Sequence, residues 1–303
     1  MALDTDRIVD RRRLKRRLGF WRIVAVAALI ALVAVGAGRF GGIGGGPYVA
    51  AIEISNVIFG EPARDAALRR VAADRRARAL IVRINSPGGT VAGGEALFSS
   101  LRLVADRKPV VAVIGELGTS AGYMSALGAD YIIAREGSIT GSIGVILQST
   151  DITGLLDKLG VKPESVKSSP LKAQPNPLEP FSEEARAATE AVVADIYDLF
   201  VGMVAERRRM SRERVAPLAD GRIFTGRQAL RQGLIDSVGG EAEARDWLAS
   251  AHGIAASLPV RPVKARRDDG ILSGMLDDVF GKTLFSERLR LDGLISLWHP
   301  EFK

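Results

Sequence analysis

A serine flanked by small residues, Gly118-Thr119-Ser120-Ala121-Gly122-Tyr123, lies between two segments of opposite character. Before it, the apolar run Pro109–Gly115 reads as a buried strand; after it, Met124–Ala129 is a small-residue segment with good helix formers. A hydroxyl at such a junction sits at a helix N-terminus, where outward-pointing N–H groups favour negative charge. Two roles fit Ser120: it caps the helix, or it attacks an acyl group. The second role needs a base and backbone donors for an oxyanion. Ser86-Pro87-Gly88-Gly89 offers donors at Gly88 and Gly89, because consecutive glycines let a backbone approach a substrate closely, and the amide of Ala121 is a natural second donor. The same four residues also read as a turn between strand and helix.

The choice of base is narrow. Cysteine is absent, which excludes thiolate catalysis, disulfides and cysteine-based zinc sites. The two histidines are His252, at the end of a helical stretch, and His299, in the tail. A lysine can serve instead when burial or nearby charge lowers its pKa. Between Ser120 and the next long helix stand Lys158, Lys162, Lys167 and Lys172. Lys172 is set apart by its apolar, proline-framed context, Pro170-Leu171-Lys172-Ala173. The alternative is a solvated loop lysine, as most lysines are.

The elements that must position these groups alternate between strand and helix. Tyr48–Ile58 predicts a strand, Pro62–Arg76 a helix, Ala79–Asn85 a strand and Thr90–Ala105 a helix. Strand 109–115 leads to Ser120, and Tyr131–Ala134 and Ile143–Ile146 are further short apolar runs. This order predicts a parallel sheet of βαβ units with ligands at the carboxyl ends of the strands, where the serine and both glycines fall. Residues 151–160 predict a short helix ended by Gly160, and the five prolines of Val161–Pro180 an extended strap. A long helix capped by Ser182 runs to about Arg209, and shorter helices cover Arg227–Leu234 and Glu241–His252.

The net charge of +7 is local: eight basic and three acidic side chains crowd residues 1–22, and the remaining 281 residues are close to neutral. A nucleic-acid face is therefore not indicated. From Ile23 to Gly38 the chain carries no charge, and Leu18–Trp21 lengthen the apolar segment toward the ~20 residues that a bilayer needs. The basic flank comes first, so the N-terminus stays in the cytoplasm and the remainder is exported. A cleavable signal peptide competes with this anchor, since Ala34-Val35-Gly36 is small enough for a cleavage site.

Several motifs in fixed order resemble the signal peptide peptidase A family of membrane-anchored serine proteases. They are Asn85–Gly89, Thr119–Tyr123, Gly128-Ala129-Asp130, Thr140–Val145, Lys172, Asp220–Gly226 and Gly233–Asp236. The resemblance covers about residues 48–240. It implies an α/β fold similar to the Clp protease and crotonase group, and a Ser–Lys dyad of Ser120 as nucleophile and Lys172 as general base. Gly89, with Gly88, and Ala121 match the oxyanion positions. It further implies action on peptides, signal peptide remnants above all, with neither ATP nor metal as cofactor. One unit is present where longer members carry two, which implies a homo-oligomer. Two positions depart from the family pattern: Ala121 replaces a glycine, and Ala173 a polar residue. The chain then divides into a cytoplasmic basic segment (1–22), a transmembrane anchor (23–38), a linker (39–47), a peptidase domain (48–260) and a tail (261–303) at the cytoplasmic membrane. A crotonase-like acyl-CoA enzyme and a catalytically silent membrane scaffold are the other functions compatible with such a fold.

Overall fold

The computed structural model describes residues 17–30, 46–264 and 295–297. The chain divides into two units, residues 1–46 and 47–303. In the first, α1 covers residues 17–30. Its apolar side chains, Leu18, Phe20, Trp21 and Ile23 among them, are exposed. Among the described residues no helix is long and apolar enough to cross a membrane. Residues 31–38 of the expected span lie outside the described residues.

The second unit is built on β1 (Tyr48–Ile58), β2 (Ala77–Thr90) and β3 (Val110–Thr119), which pair in parallel. The helices α2 (Pro62–Ala73) and α3 (Val91–Ala105) make the two crossovers. On the far edge of β3 run β4 (Tyr131–Ala134) and then β5 (Ile139–Gly141), also parallel. The sheet continues to β6 (Ile223–Thr225), antiparallel to β5, and to β7 (Ser237–Val238) beside β4. On the other side β8 (Val260–Pro262) pairs with β1.

The strands are buried on both faces, as a parallel sheet requires. Along β2, Leu80, Val82 and Ile84 point into one apolar layer with Leu68 of α2 and Leu97 and Leu101 of α3. The alternate residues Ala79 and Ile81 point into a second layer with Ala244 and Leu248 of α9 (Glu241–His252). That period of two is the pleat itself. The first layer also takes Tyr123 of α4 (Ala121–Ala126) and Phe200 of the long α6 (Glu183–Arg208). Ser182 caps α6 by accepting from the Ala185 N–H at 3.2 Å, as its position predicts.

Three expectations are corrected. Ser86–Gly89 is not a turn: it continues β2, with Gly88 opposite Val57 and Gly89 opposite Ile58. A register shift at Asn56, whose φ is +60°, carries the pairing past Ser55. The apolar run Ile143–Ile146 is not a strand; the strand lies earlier, at Ile139–Gly141, where Thr140 and Gly141 pair with Gly118 and Thr119. The helix expected over 151–160 shortens to α5 (Thr153–Lys158), with Gly160 at φ +68° just beyond it.

Candidate active site

The close of β3 sets the geometry. Ser120 follows Thr119 directly and precedes α4, with φ +56° and ψ −119°. A residue with a Cβ enters this region at a cost of roughly 1–3 kcal/mol, and such strain concentrates at functional turns. The surroundings hold it there: the Ser120 N–H donates to Gly141 O at 2.8 Å, and Ser120 O accepts from Met124 N–H at 2.8 Å. Ser120 is buried, and its side chain makes no capping hydrogen bond to α4. Thr90, Ser182, Ser211 and Thr225 all cap their helices. Ser120 thus stands at a sharp strand-to-helix turn without capping α4 through its side chain.

The glycine strand lies alongside. Gly122, the second residue of α4, approaches so closely that a Cβ on it would meet Ser86 O at 3.0 Å. A Cβ on Gly89 would fall 2.0 Å from Ile58 O, so only glycine fits between β2 and β1 there. Gly88 has φ +121°, and its N–H donates to Ser86 Oγ at 3.2 Å. That bond engages the Gly88 N–H within its own strand end. The Ala121 N–H is in the first turn of α4, where backbone donors lack intrahelical partners. Thr119 Oγ1 donates to Pro87 O at 3.0 Å, tying the serine turn to the glycine strand.

A short strand from the tail, β9 (Ile295–Leu297), pairs antiparallel with this same stretch: Gly88 with Leu297, Gly89 with Ser296 and Thr90 with Ile295. Because β1 already takes one edge of Gly88–Gly89, β9 lies along the other, the edge on which β3 runs toward Ser120. The tail gave no sequence signal for this pairing. Gly141 and Ser142, at φ +84° and +50°, are also part of the turn; the sequence marked them within the Thr140–Val145 motif without giving them a role.

The candidate bases separate cleanly. His252 is exposed, lies 4.7 Å from the Trp247 ring, and lines a cavity with Ala77 and Pro109 at the beginnings of β2 and β3. Ser120 stands beyond the other end of β3, about 30 Å away at ~3.3 Å per strand residue, so His252 does not reach the Ser120 of its own chain. His299 lies outside the described residues. Lys167 forms an ion pair with Glu179, whose carboxylate also accepts from Ser165 Oγ at 2.6 Å and Gln174 Nε2 at 2.7 Å. The Lys167 hydrogen bond, then that of Ser165, hold Glu179 down at about 2, and Lys167 is committed as its cation. Lys158 and Lys162 are exposed. Lys172 is exposed on a turn of the strap, where its N–H donates to Ser169 O at 3.1 Å and Ala173 follows at φ +63°. Among the described residues the Lys172 side chain has no ion-pair partner. The structure thus brings Ser120, Ala121, Gly88 and Gly89 to one end of the sheet and puts Lys172 on the solvated strap.

No group of metal-ligating side chains occurs among the described residues. Burial pushes the Tyr123 hydroxyl well above its usual range; it donates to Leu234 O at 2.7 Å and anchors α4 as a neutral group.

Comparison with known proteins adds a name to this geometry. The model of peptidase family S49 matches residues 102–255, which include Ser120 and Lys172. A Synechocystis protein that carries a protease name is 38% identical over 208 residues, covering 68% of this chain and 75% of its own. The chloroplastic serine protease SPPA of Arabidopsis thaliana is 32% identical over 222 residues, 71% of this chain but 32% of that protein. A solved structure of a membrane-bound stomatin-specific protease aligns at a TM-score of 0.49 and 16% identity, over 73% of this chain and 99% of its own.

Proposed function

Because the chain belongs to peptidase family S49, we propose that it is a serine endopeptidase in which Ser120 is the nucleophile and Lys172 the general base. The observation that carries this reading is the backbone of Ser120: strained, buried, and placed so that its hydroxyl does not serve its own helix. A neutral Lys172 amine accepts the hydroxyl proton as Oγ attacks the peptide carbonyl carbon. The Gly89 and Ala121 N–H groups hold the resulting oxyanion. The ammonium then protonates the departing amine, leaving an acyl-serine. Water adds to this ester and gives a proton to Lys172; as the tetrahedral adduct collapses, the C–O bond to Ser120 breaks, the Lys172 ammonium returns the proton to Oγ, and the acid product is released and ionises. The rate rises toward alkaline pH, because only the neutral amine accepts the proton.

Lys172 needs a drier setting than the strap of a single chain provides. The segment around it exposes Leu155, Leu159, Val161, Val166, Leu171 and Leu178. An apolar surface of that extent is suited to a neighbouring copy of the chain, which would bury the strap and carry Lys172 to a serine. The functional form is accordingly a homo-oligomer. Residues 23–38 span the cytoplasmic membrane, with the catalytic unit on the exported side. Substrates are peptides with apolar segments, among them signal peptide remnants. Ser120→Ala and Lys172→Ala, each assayed on a fluorogenic hydrophobic peptide, should lose turnover by at least 10²-fold. Undiminished turnover in either variant removes the dyad.

A further inference from the structure

The end of the sheet opposite Ser120 carries a second surface with its own chemistry. Two neighbouring cavities share Asp74; one, of about 370 Å³, opens at the starts of β2 and β3, and the other beside Tyr48. Arg75, Arg78 and Arg107 line the first, and Arg70 and Lys264 the second. All five are exposed and, among the described residues, have no ion-pair partner. The other cations on this face are already engaged. Arg76 pairs with Asp74, Arg261 lies 4.9 Å from the Tyr48 ring centroid, and Lys108 Nζ donates to the carbonyls of Val71, Asp74 and Ala77 at 2.6–2.9 Å. Asp74, the one carboxylate lining either cavity among the described residues, also accepts from the Tyr48 hydroxyl at 3.0 Å. Since the chain beyond residue 22 is nearly neutral, this is segregation of charge to one end rather than a general excess.

We propose that this face is a docking surface for anionic phospholipid headgroups. Unpaired guanidinium groups bind phosphodiesters with charge-assisted, two-pronged hydrogen bonds. The face is also where the chain enters the unit. Nine residues separate Gly38 from Tyr48, which at ~3.3–3.6 Å per residue reach at most about 35 Å. The inference rests on the anchored reading for that tether alone. Docked this way, the Ser120 end of the sheet points away from the bilayer by roughly the 30 Å length of β3.

The absence of cysteine permits a clean test on the full chain. Single-cysteine forms, Ala73→Cys at this face and Glu116→Cys near the other end, are labelled with a donor dye and reconstituted into vesicles containing an acceptor lipid. Vesicles with 30% phosphatidylglycerol are compared with pure phosphatidylcholine. Energy transfer from position 73 should be higher with phosphatidylglycerol, fall at 0.5 M salt, and drop to the phosphatidylcholine level in Arg75→Glu/Arg78→Glu/Arg107→Glu. Reversing three such charges should weaken the headgroup interaction about 100-fold or more. The Arg75→Lys/Arg78→Lys/Arg107→Lys form should retain the transfer, which separates lost charge from lost folding. Equal transfer in both lipids, or transfer unchanged by the glutamate variant, overturns the proposal. Loss of transfer on adding millimolar inorganic phosphate at constant ionic strength would also overturn it, by making the face a phosphate pocket. Extraction of the chain from phosphatidylcholine vesicles by alkaline carbonate would refute the anchor alone, since the phosphatidylglycerol comparison still decides the surface.

Discussion

Replacing Ser120 by glycine should stabilise the protein while silencing it. At φ +56° and ψ −119° the serine Cβ is strained, a cost of roughly 1–3 kcal/mol that glycine does not bear. Glycine also loosens the unfolded chain, which takes back about 0.4–1 kcal/mol. The difference between Ser120→Gly and Ser120→Ala isolates the Cβ, because both lack the hydroxyl and only alanine keeps the strain. Glycine should therefore be the more stable of the two by about 1 kcal/mol, which for a domain of this size is a Tm higher by roughly 2–4 °C. Scanning calorimetry of the two variants, with peptide hydrolysis alongside, measures both halves. A glycine variant that melts below the alanine one, or that hydrolyses peptide at the parental rate, would refute the view of Ser120 as a strained nucleophile.

Gly89→Ala should cost more than about 3 kcal/mol or shift β1, since its Cβ would sit 2.0 Å from Ile58 O; urea titration measures this, and a neutral effect contradicts the close approach. Truncating the chain after Lys264 removes β9 from the edge of Gly88–Thr90, so kcat/KM for a peptide substrate should rise several-fold; an unchanged value means that β9 does not compete there. The strap should respond to acid through Glu179, whose carboxylate is depressed to about 2 chiefly by Lys167. A depressed carboxylate contributes order that is complete above its unfolded value and lost as pH falls through the folded one. Pepsin cleavage within residues 161–181 should accordingly be slow at pH 5 and accelerate toward pH 2, while Glu179→Gln is cut readily at both.

Much of the frame was legible because it rests on local pattern. The limits of β1 and of α9 follow from their apolar periodicity and from Gly253 at φ +64°, and Ser182 marks the start of α6. The glycine stretch was misjudged for a physical reason. Gly88 and Gly89 look like turn formers, but β1 leaves no room for a side chain at Gly89, and Gly88 holds a φ of +121° within the strand. Position along the sheet was equally invisible: His252 has suitable chemistry and lies at the wrong end of β3. Pairings across the chain, such as Lys167 with Glu179 and β9 with β2, depend on contacts that no window of sequence contains. That the Ser120 side chain does not cap the helix it precedes was likewise not readable from the local pattern.

The central claim is that Ser120 is a nucleophile activated by Lys172. Mass spectrometry of the full chain after brief exposure to a fluorophosphonate tests it most directly, in the parent, in Ser120→Ala and in Lys172→Ala. The predicted result is one adduct, on Ser120, absent from the first variant and formed at least 10²-fold more slowly in the second. An adduct on another residue, or equal labelling of Ser120 with and without Lys172, would contradict it.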